Sequence, residues 1–162
     1  MNSLSIFDLN KIAISLASKN DSKEILFLQK RAFVQEAEID LNYNIVPIKQ
    51  TYESLHAEFE KFTYLKAMVS SKIIGSVRAQ LQANTCFIGR LIVEPVFQGN
   101  GLGSLLLKSI ENHFKDVSRF ELFTGENSID NVSFYKKRGY NVFDRYLEAS
   151  GVALLKFYKN NN

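Results

Sequence analysis

The residues with the clearest chemical meaning form a glycine-rich turn in the middle of the chain. Residues 91–104 read Leu-Ile-Val-Glu-Pro-Val-Phe-Gln-Gly-Asn-Gly-Leu-Gly-Ser, with three glycines within five residues. Because glycine has no Cβ atom, successive backbone N–H groups of such a turn can point at one anion. A helix that begins in the turn adds its own unpaired N–H groups and the positive end of its dipole. The sequence therefore predicts a phosphate-binding turn.

Spacing distinguishes this turn from two familiar phosphate-binding loops. No lysine directly follows Gly103, as a P-loop requires, and the glycines read G-x-G-x-G instead of the G-x-G-x-x-G of dinucleotide-binding folds. The turn does match Gln-x-x-Gly-x-Gly, which begins at Gln98 after a Val-x-Pro strand end at Val93. In this it resembles the pyrophosphate loop of the GNAT N-acetyltransferase superfamily. The alternative is a turn that only ends a strand and begins a helix.

A second segment is similar to a later motif of the same superfamily, a helix that carries a tyrosine and is followed by glycine and an aromatic residue. Tyr135 and Gly139 match those positions. The commonest form of this motif has asparagine seven residues before the tyrosine, where this chain has Ser128. Asn131 lies at a position that a small residue usually occupies. The spacing Thr-Gly-x-x-Ser-x-x-Asn, which begins at Thr124, fits another form. The resemblance covers roughly residues 73–146 and leaves open whether Ser128 or Asn131 contacts the cofactor.

Hydrophobic patterning predicts the elements that position these motifs. The predicted strands span residues 11–18, 64–69, 72–81, 85–93, 120–124, 140–146 and 152–158. The predicted helices span residues 21–37, 50–59, 101–114 and 129–138, and residues 40–49 are expected to be irregular. Asp21 and Glu24 have the spacing of a capping box for the first helix. Residues 85–124 and 120–146 are strand-helix-strand passages, for which parallel or crossover connections are expected.

The predicted order of elements indicates an α/β (α+β) fold. The resemblance implies a mixed, mostly antiparallel sheet of six to seven strands, with helices on both faces and with the fourth and fifth strands splayed apart. The length of 162 residues is close to one domain on a prior of roughly 150 residues per domain, so that residues 1–162 are expected to form a single acetyltransferase domain.

The resemblance implies a place for acetyl-CoA in the opening between the fourth and fifth strands, beside a bulge in the fourth strand. The N–H of Leu91 would polarise the thioester carbonyl, and Ile92 and Val93 would run beside the pantetheine arm. Tyr135 would protonate the departing thiolate. The pyrophosphate would be surrounded by Gln98, Gly99, Asn100, Gly101, Gly103 and Ser104.

The general base is the least specified part of the site. Glu94 follows the fourth strand and Glu126 follows the fifth, so both are expected to border the cleft and to act through a water. Glu36 and Glu38 lie near the end of the first helix, where the superfamily commonly builds its acceptor pocket. A solvated surface carboxylate is the alternative for each of them. Carboxylates between residues 36 and 60 favour a cationic acceptor.

Composition places the chain among ordinary globular proteins, with 46% hydrophobic and 23% charged residues and a net charge of +3. The single cysteine, Cys86, is expected to be a buried structural thiol, which favours direct acetyl transfer in a ternary complex. The two histidines are isolated and show no ligand spacing, so no metal site is predicted. The sequence has no basic stripe with interleaved aromatic residues, so nucleic-acid binding is not predicted either. Residues 1–10 lack the layout of a secretory signal and no segment is long enough to span a membrane, so a cytoplasmic protein is expected.

The sequence therefore predicts an N-acetyltransferase that moves the acetyl group of acetyl-CoA to a primary amine of a small molecule or peptide. The alternative is a module that binds acyl-CoA as a sensor or regulator without turnover. The retained tyrosine at position 135 favours the enzyme. The C-terminal hairpin often contributes to dimers in similar proteins, so a homodimer is a further expectation of the resemblance.

Overall fold

Seven strands form one mixed sheet in the computed structural model of the chain, which describes residues 7–162. Residues 1–6, part of the stretch that was expected to carry no secretory signal, lie outside the described residues. The strands are β1 (Ala13–Leu16), β2 (Thr63–Val69), β3 (Lys72–Gln82), β4 (Thr85–Val93), β5 (Arg119–Gly125), β6 (Asn141–Leu147) and β7 (Ala153–Asn160), and their order in the sheet is β1-β2-β3-β4-β5-β7-β6. The helices are α1 (Ser22–Asp40), α2 (Val46–Lys49), α3 (Tyr52–Glu58), α4 (Leu102–His113) and α5 (Ile129–Lys137).

The predicted mixed and mostly antiparallel sheet is confirmed. Strands β1 to β4 are antiparallel neighbours, and β7 pairs antiparallel with both β5 and β6. Among the strands of residues 7–162, only β4 and β5 are parallel, and their pairing is limited to residues 85–87 and 119–121. Beyond these pairs the two strands part, which confirms the predicted splay. The passage from β5 to β6 is a crossover over β7, so its two strands are not neighbours.

Helices pack on both faces of the sheet, as predicted. On one face, α4 buries Leu102, Leu106 and Ile110 against β2, β3 and β4, because these leucine and isoleucine positions recur at helical spacing. On the other face, α1 and α3 bury Leu28 and Leu55 against the sheet. No helix within residues 7–162 combines the length and the apolar character needed to cross a membrane.

The start of α1 differs from the prediction. The Asp21 side chain accepts a hydrogen bond from the N–H of Ser18, at 2.9 Å, and so closes the 3₁₀ turn that precedes the helix instead of capping α1. Glu24 accepts from the N–H of Ile73 on β3, at 2.8 Å. The predicted capping box is therefore wrong, because a tertiary contact takes the glutamate. Residues 40–49 also contain one short helix, α2, with Pro47 in its first turn.

A bulge in β4 sets the geometry of the region where the strands part. Ser76 pairs with Ile92 and Arg78 pairs with Gly89, so two residues of β4, Arg90 and Leu91, lie opposite a single residue of β3. Arg90 has a φ of +49°, which is uncommon for a residue other than glycine. The bulge that the resemblance implied in the fourth strand is thus present.

Candidate functional site

An open cleft of about 920 Å³ lies where β4 and β5 separate. Its walls come from the second half of β4, the glycine-rich turn, the later part of α1, α2, α5 and the β6–β7 hairpin. A parallel pair that ends after three residues leaves the facing edges of β4 and β5 without ladder partners across the opening. The cleft is therefore lined both by unpaired backbone and by side chains from elements far apart in the chain.

The glycine-rich turn presents a run of free backbone donors at one end of this cleft. Within residues 7–162, no backbone carbonyl accepts from the N–H groups of residues 99–104, and the first such bond of α4 is from Leu105 to Gly101, at 3.1 Å. Gly99 and Gly101 have φ values of +78° and +86°, a conformation that glycine adopts without steric cost. A 12-residue helix that begins here adds the positive end of its dipole. These donors fit a diphosphate.

Polar side chains brace the turn from both sides. Gln98 donates to the carbonyl of Val93, at 3.2 Å, and Asn100 donates to the carbonyls of Phe97 and Gln98, each at 3.2 Å. Asn100 therefore holds the shape of the turn, and it does not line the cleft.

Arg138, from the end of α5, lies beside the turn. Its Nε donates to the Ser104 hydroxyl at 3.2 Å, and its guanidinium lies 3.6 Å from the centre of the Phe134 ring. Arg138 lines the cleft and adds a positive charge next to the free N–H groups.

Tyr135 projects from α5 into the cleft. Its ring packs among Phe134, Tyr140 and Phe157, with ring centres 5.2 to 6.0 Å apart, so its orientation is fixed by aromatic neighbours. Its hydroxyl has no hydrogen-bond partner within the described part of the chain. Burial first, and then the negative charge of Glu36, raise the pKa of Tyr135 above its usual range, so the phenol stays protonated at neutral pH.

Glu36 links α1 to α5 across the cleft. Its carboxylate accepts from Asn131, at 3.0 Å, and from the hydroxyl of Ser128. Ser128 is buried and does not line the cleft, whereas Asn131 and Glu36 do. The sequence left open whether Ser128 or Asn131 contacts the cofactor. The structure brings only Asn131 to the cleft, because Ser128 is buried and donates its hydroxyl to the Glu36 carboxylate.

Neither carboxylate predicted to follow a strand faces the cleft. Glu94 is buried in a two-pronged ion pair with Arg31 of α1, with N–O distances of 2.7 and 3.1 Å, and Glu126 forms a similar pair with Arg145, at 2.7 and 3.0 Å. The hydrogen bonds from these arginines lower the pKa of both carboxyl groups. The expectation that they border the cleft is wrong, because each turns away from it toward an arginine.

The predicted buried thiol is confirmed. Cys86 is fully buried in the cluster under α4, and burial raises the pKa of its thiol to about 12. A thiol held in this way is a poor nucleophile. Within residues 7–162, no group of three histidine, cysteine, aspartate or glutamate side chains is placed to hold a metal ion.

The Acetyltransferase (GNAT) domain family matches residues 31–160 of the chain. The chain belongs to the GNAT acetyltransferase family. The matched residues include the glycine-rich turn, Tyr135, and the strands β4 and β5 that separate to form the cleft. It begins within α1 and therefore also includes Glu36.

Solved structures of other GNAT proteins share this fold. The PaiA N-acetyltransferase of Thermoplasma acidophilum, solved in complex with coenzyme A, is 22% identical, with 92% of this chain and 98% of that chain covered and a TM-score of 0.77. The ribosomal-protein-S18-alanine N-acetyltransferase of Escherichia coli is 14% identical, with 93% and 94% covered and a TM-score of 0.76.

The curated relatives come from Bacillus subtilis (strain 168). The UPF0157 protein YqkA is 28% identical over 138 residues, which cover 85% of this GNAT chain and 39% of YqkA. The uncharacterized protein YdhI is 29% identical over 73 residues, which cover 44% of each chain. The chain therefore spans less than half the length of the curated relatives it matches.

The structure brings most of the predicted site of this GNAT chain together. Apart from Asn100 and Ser128, all the residues predicted to contact the cofactor line the cleft, namely Leu91, Ile92, Val93, Gln98, Gly99, Gly101, Gly103, Ser104, Asn131 and Tyr135. Sequence reasoning missed Arg78 and Arg90, which line the cleft from β3 and β4. The one signal for Arg90 was a charged residue inside the apolar run of β4.

Proposed function

We propose that the chain is an N-acetyltransferase that uses acetyl-CoA and transfers the acetyl group directly to a primary amine of a small molecule or peptide. The observation that carries the proposal is the run of free N–H groups at residues 99–104, which opens on the same cleft as the Tyr135 hydroxyl. Two similar GNAT structures are of N-acetyltransferases, and one of them contains coenzyme A. Family membership supports acetyl transfer, and the nature of the acceptor is part of the proposal.

The chain offers distinct groups for each part of the donor. Acetyl-CoA supplies the activated acetyl thioester. The N–H groups of residues 99–104 and the guanidinium of Arg138 would hold its phosphates, because charge-assisted hydrogen bonds to phosphate are among the stronger ones. The backbone of Val93 would hydrogen-bond the pantetheine arm as an added strand would, and the Leu91 N–H in the bulge would point at the carbonyl oxygen.

Two side chains in the cleft are suited to the proton movements of the reaction. An ammonium must lose a proton before its nitrogen attacks, and a leaving thiolate gains from receiving one. We assign the first role to the Glu36 carboxylate, which takes the place of Glu94 and Glu126 because it lines the cleft and they do not. We assign the second to the Tyr135 hydroxyl, whose raised pKa keeps its proton available.

The proposal is tested by measuring the affinity for acetyl-CoA by calorimetry and the release of CoA thiol with a panel of primary amines. We expect binding of acetyl-CoA and release that depends on the amine. Binding without release on any amine would instead support the sensor or regulatory module. Failure to bind acetyl-CoA would overturn both the N-acetyltransferase and the sensor or regulatory module.

A further inference from the structure

Arg90 is a partly buried cation that lacks an anionic partner. Its Nη1 is inaccessible to solvent and has no hydrogen-bond partner, and within residues 7–162 no carboxylate oxygen lies within ion-pair distance of its guanidinium. A charged nitrogen that is shielded from water and has no partner is costly for a fold to maintain. Burial, followed by the charge of Arg78, lowers the pKa of Arg90 to about 10, which still leaves it positive at neutral pH.

The backbone holds Arg90 in its place. The bulge gives Arg90 its positive φ, and its guanidinium lies 5.8 Å from the centre of the Phe33 ring on α1. The side chain therefore faces the part of the cleft between the sheet and α1, away from the helix α4 that begins in the glycine-rich turn.

Arg78 adds a second guanidinium on the same wall. It lies 4.1 Å from the Phe62 ring centre and forms an ion pair with Glu58, yet its Nε is also buried without a hydrogen-bond partner. Glu58 accepts in addition from Tyr64, at 2.6 Å, and from Gln50, at 2.7 Å. Two arginines therefore share the one carboxylate of Glu58, and Arg78, Arg90 and Glu58 together carry one net positive charge.

Glu148, from the β6–β7 hairpin, is a further carboxylate that acts on Arg90. Glu148 lines the cleft, and its negative charge offsets a small part of the lowering of the Arg90 pKa. Within residues 7–162, no ion pair or hydrogen bond joins the two side chains. The Arg90 guanidinium thus remains free for a ligand, and guanidinium groups match the geometry of carboxylates and phosphates.

We propose that Arg90, assisted by Arg78, binds a carboxylate of the acceptor, so that the acceptor is an amine that also carries a carboxylate, as amino acids and peptide C-termini do. This inference rests on the proposed function. One uncompensated positive charge matches a carboxylate better than a doubly charged phosphate. With Glu36 facing the same cleft, the site offers an anion for the ammonium end and a cation for the carboxylate end of one acceptor.

The test compares matched acceptors that differ in the carboxylate. CoA release is measured with L-phenylalanine against 2-phenylethylamine, L-lysine against 1,5-diaminopentane, and β-alanine against 2-aminoethyl phosphate. We expect the carboxylate member of at least one of the first two pairs to have a kcat/KM at least tenfold higher. Equal or faster turnover of the decarboxylated amines would overturn the proposal, and faster turnover of the phosphate would overturn the choice of carboxylate.

Substitution assigns the preference to Arg90. In Arg90→Met we expect the KM of the carboxylate-bearing acceptor to rise by about tenfold or more, while the KM of acetyl-CoA stays the same. Arg145→Met, which removes an arginine of the same charge outside the cleft, is the matched control and should change neither KM. An unchanged acceptor KM in Arg90→Met would overturn the proposal.

Two readouts separate this inference from the proposed function. Replacing a structural arginine would lower the melting temperature, whereas a methionine in place of this unpartnered, partly buried cation should leave the melting temperature unchanged or raise it. If acetyl-CoA binds but no amine in the panel releases CoA, the proposed function fails. The subsite is then decided by calorimetry with N-acetyl-L-phenylalanine and N-acetyl-2-phenylethylamine on the CoA-loaded protein. The carboxylate subsite is supported if only N-acetyl-L-phenylalanine binds and if this binding is lost in Arg90→Met. Any other result rejects the subsite.

Discussion

Asn131 of α5 donates a hydrogen bond of 3.0 Å to the carboxylate of Glu36 at the end of α1. This bond ties two elements on opposite sides of the cleft and fixes the direction of the carboxylate. Burial first, and then the negative charge of this carboxylate, raise the pKa of Tyr135. Glu36 is therefore held by Asn131 and lines the same cleft as the tyrosine that we propose as the proton donor.

Replacing Glu36 tests its assignment as the group that receives the proton of the amine. We expect Glu36→Gln to lower kcat/KM for the acceptor by about 100-fold, because positioned general bases typically contribute factors of that order. The affinity for acetyl-CoA should change little. Initial rates and calorimetry measure the two effects. Glu38→Gln, on the same helix but exposed and outside the cleft, is the matched control, and an equal loss in both variants would contradict the assignment.

Tyr135→Phe tests the proposed acid. Loss of the hydroxyl should lower kcat by about 100-fold while the ring keeps its aromatic packing and the protein keeps its acetyl-CoA affinity. Tyr158→Phe, on β7 and outside the cleft, should leave kcat unchanged. A Tyr135→Phe enzyme as fast as the original would remove this tyrosine from the mechanism.

The raised pKa of Tyr135 predicts the alkaline side of the pH profile. An acid works only while it holds its proton, and burial together with the charge of Glu36 shifts loss of that proton to higher pH. We therefore expect no fall in kcat attributable to Tyr135 below about pH 10, the ordinary range of a phenol. The profile is measured between neutral pH and the onset of unfolding. A tyrosine-dependent fall near pH 8 would contradict the described environment.

The ion pair of Glu94 and Arg31 should act on stability and not on catalysis. Glu94→Gln is expected to lower the free energy of unfolding by about 1 to 3 kcal/mol at pH 7, because it breaks charge-assisted hydrogen bonds of a buried carboxylate. The folded pKa of Glu94 is lowered, so this contribution is present above its unfolded pKa of about 4 and is lost as the pH falls through the folded value.

Denaturant unfolding at pH 7 and at pH 3 measures this dependence, and CoA release measures catalysis. The difference in the free energy of unfolding between the original protein and Glu94→Gln should be smaller at pH 3 than at pH 7. The kcat of Glu94→Gln should stay within about threefold of the original value. A large fall in kcat with unchanged stability would restore Glu94 as a candidate base.

Two glycines allow the turn to be tested against a matched control. Gly99 and Gly151 have φ values of +78° and +91°, and a Cβ atom at either would meet nothing within 4 Å. Alanine at either should therefore cost a similar amount of stability, about 1 kcal/mol. Only Gly99→Ala should also weaken acetyl-CoA binding, by about tenfold, because Gly99 lines the cleft and its added methyl group would take space beside the free N–H groups. Equal affinities in the two variants would argue against the turn as the phosphate site.

The glycine-rich turn could be predicted from sequence because its residues are contiguous and its geometry follows from the glycines themselves. The opposite side of the cleft could not. Glu36 and Asn131 are 95 positions apart, and only the packing of α1 against the sheet brings them together. The direction of Arg90 depends on one extra residue in β4, and Glu94 turns away because Arg31 takes its carboxylate.

The short parallel seam between β4 and β5 has a consequence for how the opening keeps its shape. Three residue pairs form the ladder between the half-sheet of β1 to β4 and the half-sheet of β5 to β7. Other contacts that join the halves come from side chains, in the buried cluster that includes Leu106 and Phe157 and in the bond between Asn131 and Glu36. The width of the opening therefore depends on side-chain packing and not on strand pairing.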